Sequence, residues 1–310
     1  MTNPGVTGDQ TGYREDIGGL HIEESRKPES KPVDEKVQKF VDKLLYAEGR
    51  PGAQKIRNFL NGTWLGEPLH AALTDVPIGA WTAAIVIDGL DSIRHRQEFS
   101  VAADTSILIG LAGAASAAVA GIADWSDVDP PARSVGLLHG LLNVGVTTLF
   151  TTSSILRRKD SRNGGRIFAA LGYGLLMYSA HLGGKMVYEH RVGVDRTAGE
   201  VFPEDFVPVL AESELSDNTP TRASHEGTPI LLVRRGSRIF ALAETCSHFS
   251  GPLSEGKLED DSIVCPYHAS RFALEDGRVL DGPAVHPQPC LEVRVRSGKI
   301  EVRKARANGC

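Results

Sequence analysis

Hydrophobic positions are unevenly distributed along the chain. Residues 105–123 form a run of 19 without a charge, residues 134–156 a run of 23 and residues 167–184 a run of 18, each bounded by Asp, Arg or Lys. A helix needs about 17–25 such residues to cross a bilayer. A fourth run, residues 69–90, is interrupted by Asp75 and Asp88 and carries Pro77, but its centre, residues 76–87, is charge-free. A proline near a helix start is tolerated, so this run also counts as a span. The alternative is a soluble bundle of buried helices, and the face Gly110, Gly113, Ala114, Ala117, Gly121 suits close helix contact in either setting. Three charge-free stretches of spanning length within 80 residues favour the membrane.

Outside these runs the period changes. Over residues 33–60, Val37, Phe40, Val41, Leu44 and Leu45 recur at helical spacing among charges, which predicts one amphipathic helix lying on the membrane surface or packed against the C-terminal domain. Residues 191–215 turn polar, with Pro203 and Pro208, and read as a linker. Beyond it come short alternating runs around turn signals: 230–233 and 238–243 about Arg235-Gly236-Ser237, 271–274 and 278–280 about Asp276-Gly277, and 291–295 and 300–303 about Ser297-Gly298. Such hairpins predict a small all-β domain. The expected architecture is a multidomain chain, an all-α four-helix transmembrane bundle followed by a small all-β domain. Its parts are a disordered tail (1–32), an amphipathic helical segment (33–68), the four-helix domain (69–194), a linker (195–205) and the β domain (206–304).

A net charge of −5 with no long basic run excludes a nucleic-acid partner. The first 40 residues lack the apolar core of an export signal, so the N-terminus is expected in the cytosol. Four cysteines, Cys246, Cys265, Cys290 and Cys310, are too few for a disulfide scaffold. Cys290 reads as a small buried side chain at a strand start, and Cys310 as exposed and incidental.

The chemistry lies in Cys246-Ser247-His248, then 16 residues, then Cys265-Pro266-Tyr267-His268. Structural zinc favours paired cysteines followed by paired histidines. Here each loop is mixed, and one Cys with one His from each of two loops is the donor set of a Rieske [2Fe–2S] centre. Residues 206–303 resemble a Rieske ferredoxin domain: Pro266 follows the second Cys, Ser270, Arg271 and Phe272 follow the second His, and Gly282-Pro283-Ala284 with Pro287 and Pro289 matches the proline loop that covers the cluster in that family. The resemblance implies a cluster held by Cys246, His248, Cys265 and His268, with the imidazole rings at its exposed edge as the electron gate.

Departures from the family pattern refine this. The extra cysteines that form a disulfide in high-potential members are replaced by Gly251 and Tyr267, and the usual Gly after the second His is Ala269. Ser270 is placed to hydrogen-bond a bridging sulfide, but Phe272 stands where high-potential members have Tyr, which implies a potential in the lower part of the Rieske range. Ring-hydroxylating oxygenases add a mononuclear iron site held by two His and a carboxylate. Only His286 follows His268, so the chain is not expected to be a self-contained oxygenase. The expected role is single-electron transfer between redox donor and acceptor proteins or a quinone. The alternative is an iron–sulfur redox sensor without turnover.

The helical half, on His70-Ala-Ala-Leu-Thr-Asp75-Val-Pro77, Asp124-Trp125, His139 and Leu182-Gly183-Gly184-Lys185-Met186-Val187-Tyr188, resembles an uncharacterised bacterial family of four-helix membrane domains, which brings no activity with it. Alternate threading puts His70, His139, His181 and Asp124 at the end from which the β domain leaves. These histidines either cap helix ends at the headgroups, or a pair of them ligates a b-type haem or contacts a quinone. Positive charges number 7 at each end of the spans, so the positive-inside rule gives a tie. Absence of the extra cluster disulfide suits a reducing compartment, so the expected location is the inner (plasma) membrane, multi-pass, with a cytoplasmic β domain.

Overall fold

The structure, a computed structural model, describes residues 32–45 and 52–305. Most of the expected tail, and Cys310, lie outside the described residues.

The amphipathic segment forms two helices rather than one, α1 (Pro32–Leu45) and α2 (Ala53–Asn61). Gly52, at φ +83°, stands in the left-handed region just before α2, where a continuous helix cannot pass. Gln38 of α1 donates to the carbonyls of Ser126 (2.6 Å) and Val128 (3.2 Å), so α1 seals the end of the bundle. From α2, Arg57 pairs with Asp127 at 2.5 Å and Asn58 donates to Asp281 at 2.9 Å, bridging the bundle and the β domain. The outward face of α2 and the following turn expose Ile56, Phe59, Trp64 and Leu65.

Four long helices follow: α3 (Leu69–Arg94), α4 (Gln97–Ser126), α5 (Ala132–Arg158) and α6 (Arg162–Tyr188). All four are long and apolar enough to cross a membrane. Short connections make them two antiparallel hairpins, α3 against α4 and α5 against α6. The small-residue face of α4 receives α3 in register. A Cβ on Gly110 would lie 2.3 Å from Trp81, on Gly113 2.6 Å from Val76, and on Gly121 2.7 Å from His70. Trp81 stacks on Phe150 of α5 with centroids 4.1 Å apart, joining the hairpins. Meanwhile Val86, Ile93, Val101, Leu141 and Val144 face outward, each more than half exposed. A soluble bundle hides its apolar stripe, whereas these helices are apolar all round.

At the end away from the β domain, three aspartates of the first hairpin meet three arginines of the second. Arg157 binds Asp88 and lies 3.0 Å from Asp104, Arg162 lies 3.3 Å from Asp91, and Arg166 pairs with Asp91 at 2.5 Å. Asp88, which seemed to interrupt the first span, is thus neutralised.

The β domain has two sheets. The larger runs in the order β1 (Val207–Ala211), β10 (Lys299–Lys304), β9 (Cys290–Arg296), β4 (Arg238–Ala243), β3 (Thr228–Arg235), β2 (Thr221–His225). The smaller runs β5 (Lys257–Glu259), β6 (Ser262–Val264), β7 (Arg271–Ala273), β8 (Val279–Asp281). The three expected hairpins are β3–β4, β7–β8 and β9–β10, all antiparallel. One core, around Ile230, Leu232, Ile300 and Val302, includes Phe202, so part of the expected linker 195–205 packs into the β domain. The second core holds Leu242, Leu253, Ile263 and Phe272 together with Cys246 and Cys265.

Candidate metal centre

Two loops carry the expected donors, one after β4 and one after β6, and they repeat the same backbone design. Cys246 N–H donates to Gly251 O (2.9 Å) as Cys265 N–H donates to Ser270 O (2.8 Å). Ser250 N–H returns to Cys246 O (2.9 Å) as Ala269 N–H returns to Cys265 O (3.1 Å). Ser250 and Ala269 both have positive φ, +57° and +59°. The Gly that Ala269 replaces is thus explained by the backbone, because only Gly enters this region freely.

The loops bring the donors together as two pairs. The Cys246 and Cys265 thiols are buried, free and hydrogen-bonded to each other. The His248 and His268 rings are edge to face, with centroids 5.1 Å apart. Two pairs of donors suit two irons, one held by each pair. His248 Nδ1 is buried without a hydrogen-bond partner, as a nitrogen meant for a metal would be.

Protonation follows the same division. The hydrogen bond from Cys246, aided by the backbone N–H groups of Tyr267 and His268 against the effect of burial, lowers the Cys265 thiol to about 7. The same contact with Cys265, together with burial, pushes Cys246 well above its ordinary value. Burial holds His248 well below the usual imidazole range and lowers His268 despite Asp127 and Asp129. Iron takes neutral imidazoles and deprotonated thiols, so loading the site releases the proton that Cys265 and burial hold on Cys246.

Around the donors sits a second set of contacts. Ser270 Oγ accepts from Ala284 N–H of the proline loop at 2.9 Å, leaving its own proton to donate. Buried Gln288 accepts from Ser247 N–H at 2.7 Å and donates to the carbonyls of Ala243 and Thr245. Ser247 Oγ donates to His286 O at 2.7 Å. Gln288 lies between two prolines, and nothing in its local sequence marks it out. Gly251 and Tyr267 adjoin each other, a Cβ on Gly251 lying 3.0 Å from Tyr267 Cγ and 2.8 Å from Cys265 Sγ. Phe272 is fully buried. Cys290, expected as a simple buried side chain, is half-buried and disulfide-bonded.

The imidazole edge, expected to be exposed, faces the bundle instead. His268 Nε2 lies 3.7 Å from Asp129 in the α4–α5 loop, and its side chain is 16% exposed. Arg196 N–H donates to Ser247 O at 3.0 Å, and the Arg196 guanidinium lies over the Phe249 ring. Gly282 N–H donates to Asn58 Oδ1 at 2.9 Å, and a Cβ on Gly282 would lie 2.7 Å from Thr63 Oγ1. A small cavity remains between Asp124 and Val128 of the bundle end and His248 and Phe249 of the cluster loop.

In the bundle, His70 and His139 meet with ring centroids 6.3 Å apart, while His181 is exposed and joins neither. His70 Nδ1 is 2.8 Å from Ala117 O. His139 has both nitrogens engaged, Nδ1 with Ser179 O at 2.9 Å and Nε2 with the Asn143 amide at 3.0 Å. The sequence put all three at one end of the bundle, but the facing of His181 depends on helix rotation, which threading does not fix.

A two-sheet domain whose paired loops present two thiols and two imidazoles is of the Rieske type. Comparison agrees: residues 205–294 match the Rieske [2Fe-2S] domain and residues 66–196 match a family described as predicted membrane protein (DUF2231). The chain is 33% identical over 98 residues to ferredoxin CarAc of Metapseudomonas resinovorans, covering 31% of this chain and 92% of that protein. It is 42% identical over 72 residues to the 3-phenylpropionate/cinnamic acid dioxygenase ferredoxin subunit of Escherichia coli K12, covering 23% of this chain and 68% of that one. Among solved structures, a complex of reduced oxygenase and oxidized ferredoxin in carbazole 1,9a-dioxygenase matches at 32% identity and TM-score 0.31, covering 33% of this chain and 96% of that one. Through its C-terminal third the chain belongs to the Rieske [2Fe–2S] ferredoxin family. It is a Rieske electron-transfer protein carrying a [2Fe–2S] cluster, and a DUF2231 domain precedes the cluster domain.

Proposed function

We propose that this chain is a membrane-anchored Rieske electron carrier in which Cys246 and Cys265 hold one iron and His248 and His268 the other. The observation that carries the reading is the repeated loop geometry, which sets the thiol pair and the imidazole pair side by side. When bound, the cluster takes up and releases one electron at a time. The chain's own residues do the rest. Ser270 donates toward the cluster, Gln288 and Ser247 fix the first loop to the proline loop, and the buried apolar core around Leu253 and Phe272 excludes water. Partners are redox proteins, as the relatives named as dioxygenase ferredoxin subunits suggest.

Anchoring in the inner membrane is supported by the four apolar helices and the match to a membrane-protein family. Domain limits follow the fold, with the bundle over 69–194 and the β domain beginning near Val201 so that Phe202 is included. The β domain is assigned to the cytoplasmic side because Gly251 and Tyr267 replace the cluster disulfide; the disulfide at Cys290 argues the other way, and thiol labelling from each side of vesicles decides. Haem is left outside the proposal because both His139 nitrogens are already bonded, and quinone has no support from the relatives.

A second reading has one observation in its favour. Asp129 stands beside His268, so a change of cluster charge is felt at the bundle end, as a redox sensor requires. Slow reoxidation by every protein acceptor tried would favour it.

The test is His268→Cys in the full chain purified in detergent. The wild type should contain iron and acid-labile sulfide in equal amounts and show a Rieske low-temperature resonance. The variant should lose or shift that resonance, because two imidazoles on one iron set it. Zinc in place of iron, or an unchanged resonance in the variant, would overturn the ligand assignment.

A further inference from the structure

Nothing about a ferredoxin requires its cluster edge to be covered by its own chain, yet here four elements of the helical half meet that edge. The α4–α5 loop brings Asp129 to His268. Helix α2 brings Asn58 to Asp281 and Gly282, flanking the proline loop. Thr63, in the turn before α3, abuts Gly282. The segment after α6 ties Arg196 N–H to the carbonyl of Ser247, between two donors of the first loop. These contacts flank the imidazole pair, and the His268 side chain is left 16% exposed.

The same junction is built to separate. It rests on a few hydrogen bonds and one loose contact, Asp129 at 3.7 Å from His268, and it keeps a cavity beside His248. Asn61 Oδ1, Thr63 Oγ1 and Asp127 Oδ2 are buried there without hydrogen bonds. A permanently fused core satisfies such atoms, whereas interfaces between domains resemble transient ones.

We propose that the loop-bearing end of the bundle is a built-in docking partner for the imidazole edge, so that a soluble redox protein reaches the cluster only when this contact opens. The inference rests on the Rieske reading above and adds the identity of the surface that occupies the cluster's docking face. The partner is the chain's own helical domain, recognised through Asp129, Asn58, Thr63 and the Arg196 backbone.

The test uses the full chain in detergent, its cluster reduced with dithionite and freed of excess reductant. It is then mixed with oxidised cytochrome c, a bulky acceptor, or with ferricyanide, a small one. In each case one electron leaves the cluster, taking it from one ferrous and one ferric iron to two ferric irons, and reduces one ferric acceptor. In Asn58→Ala/Asp129→Asn the reaction with cytochrome c should quicken by about tenfold, while the ferricyanide reaction stays as in the wild type. Thr63→Cys/Gly282→Cys supplies a lock, because the two positions are close enough for a disulfide. Oxidising that pair should suppress the cytochrome c reaction, and reducing it should restore the rate. Equal cytochrome c rates in the wild type, opened and locked proteins would overturn the docking proposal. A purified chain without Rieske absorbance would overturn the cluster reading instead, so the two failures are distinguishable.

Discussion

Ser250 and Ala269 occupy equivalent positions, each four residues beyond its cysteine and each in the left-handed region at φ +57° and +59°. The cluster site is therefore one turn design used twice, with Cys246-His248 in one copy and Cys265-His268 in the other. Each turn folds its cysteine amide and carbonyl back on itself, and the side chains are free to converge.

That design favours Gly at two positions for different reasons, backbone conformation at residue 269 and space at residue 251. Ala269→Gly relieves left-handed strain of about 1 kcal/mol, partly offset by the greater freedom of Gly in the unfolded chain. A net gain of about 0.5 kcal/mol, or roughly 2–4 °C in Tm, is expected by calorimetry on the cluster-loaded protein. Gly251→Ala puts a methyl 2.8 Å from Cys265 Sγ. Its iron content after purification should fall sharply, and normal iron in that variant would show that the loops have room to spare.

Ser270 Oγ accepts from the proline loop at Ala284 N–H, which leaves the hydroxyl proton to be donated toward the cluster in the proposed site. Ser270→Ala should lower the reduction potential by roughly 20–60 mV, the electrical equivalent of one ordinary hydrogen bond of about 0.5–1.5 kcal/mol. Protein-film voltammetry reads this directly. A potential that stays or rises would mean the hydroxyl does not face the cluster.

Phe202 belongs to the β core although it precedes the first strand. A fragment starting at Thr197 should be soluble, red-brown and more stable than one starting at Phe206, by about 3 kcal/mol for the lost aromatic side chain. Matching urea midpoints would place Phe202 outside the cooperative unit. If both fragments were colourless while the full chain was coloured, the chromophore would belong to the bundle.

Helix α2 exposes Phe59 at 58% and the turn after it exposes Trp64 at 62%, only a few residues before the first span begins. Aromatic side chains at that level are expected in the headgroup region of a bilayer. In vesicles, brominated lipid should quench wild-type emission more than that of Trp64→Phe. If iodide in the water removes that same component and lipid does not, α2 faces solvent.

All four spans, and the two loops that pair a cysteine with a histidine, were readable from the sequence because their signals are local. Uninterrupted apolar runs mark the spans, and each cysteine lies within three residues of its histidine. What escaped was set by long-range partners. Asp88 reads as a flaw in the first span until Arg157, 69 residues away, is found against it. Asn58 looks like any surface polar residue of an amphipathic helix, and its partner Asp281 is 223 residues on. The break between α1 and α2 is different, because Pro51-Gly52 marks it locally and only the helical spacing of residues 37–45 argued for a single helix. Strands β5 and β6 are three residues each, too short to show an alternation.

The carboxylates of Asp88, Asp91 and Asp104 all belong to the first helical hairpin, and the guanidinium groups of Arg157, Arg162 and Arg166 all belong to the second. Neither hairpin is electrically complete alone, and an unpaired charge at the edge of a hydrocarbon layer resists entry. In a bilayer, biogenesis is therefore expected to be cooperative, the early half of the polypeptide settling into lipid once the later half arrives to cancel its charge.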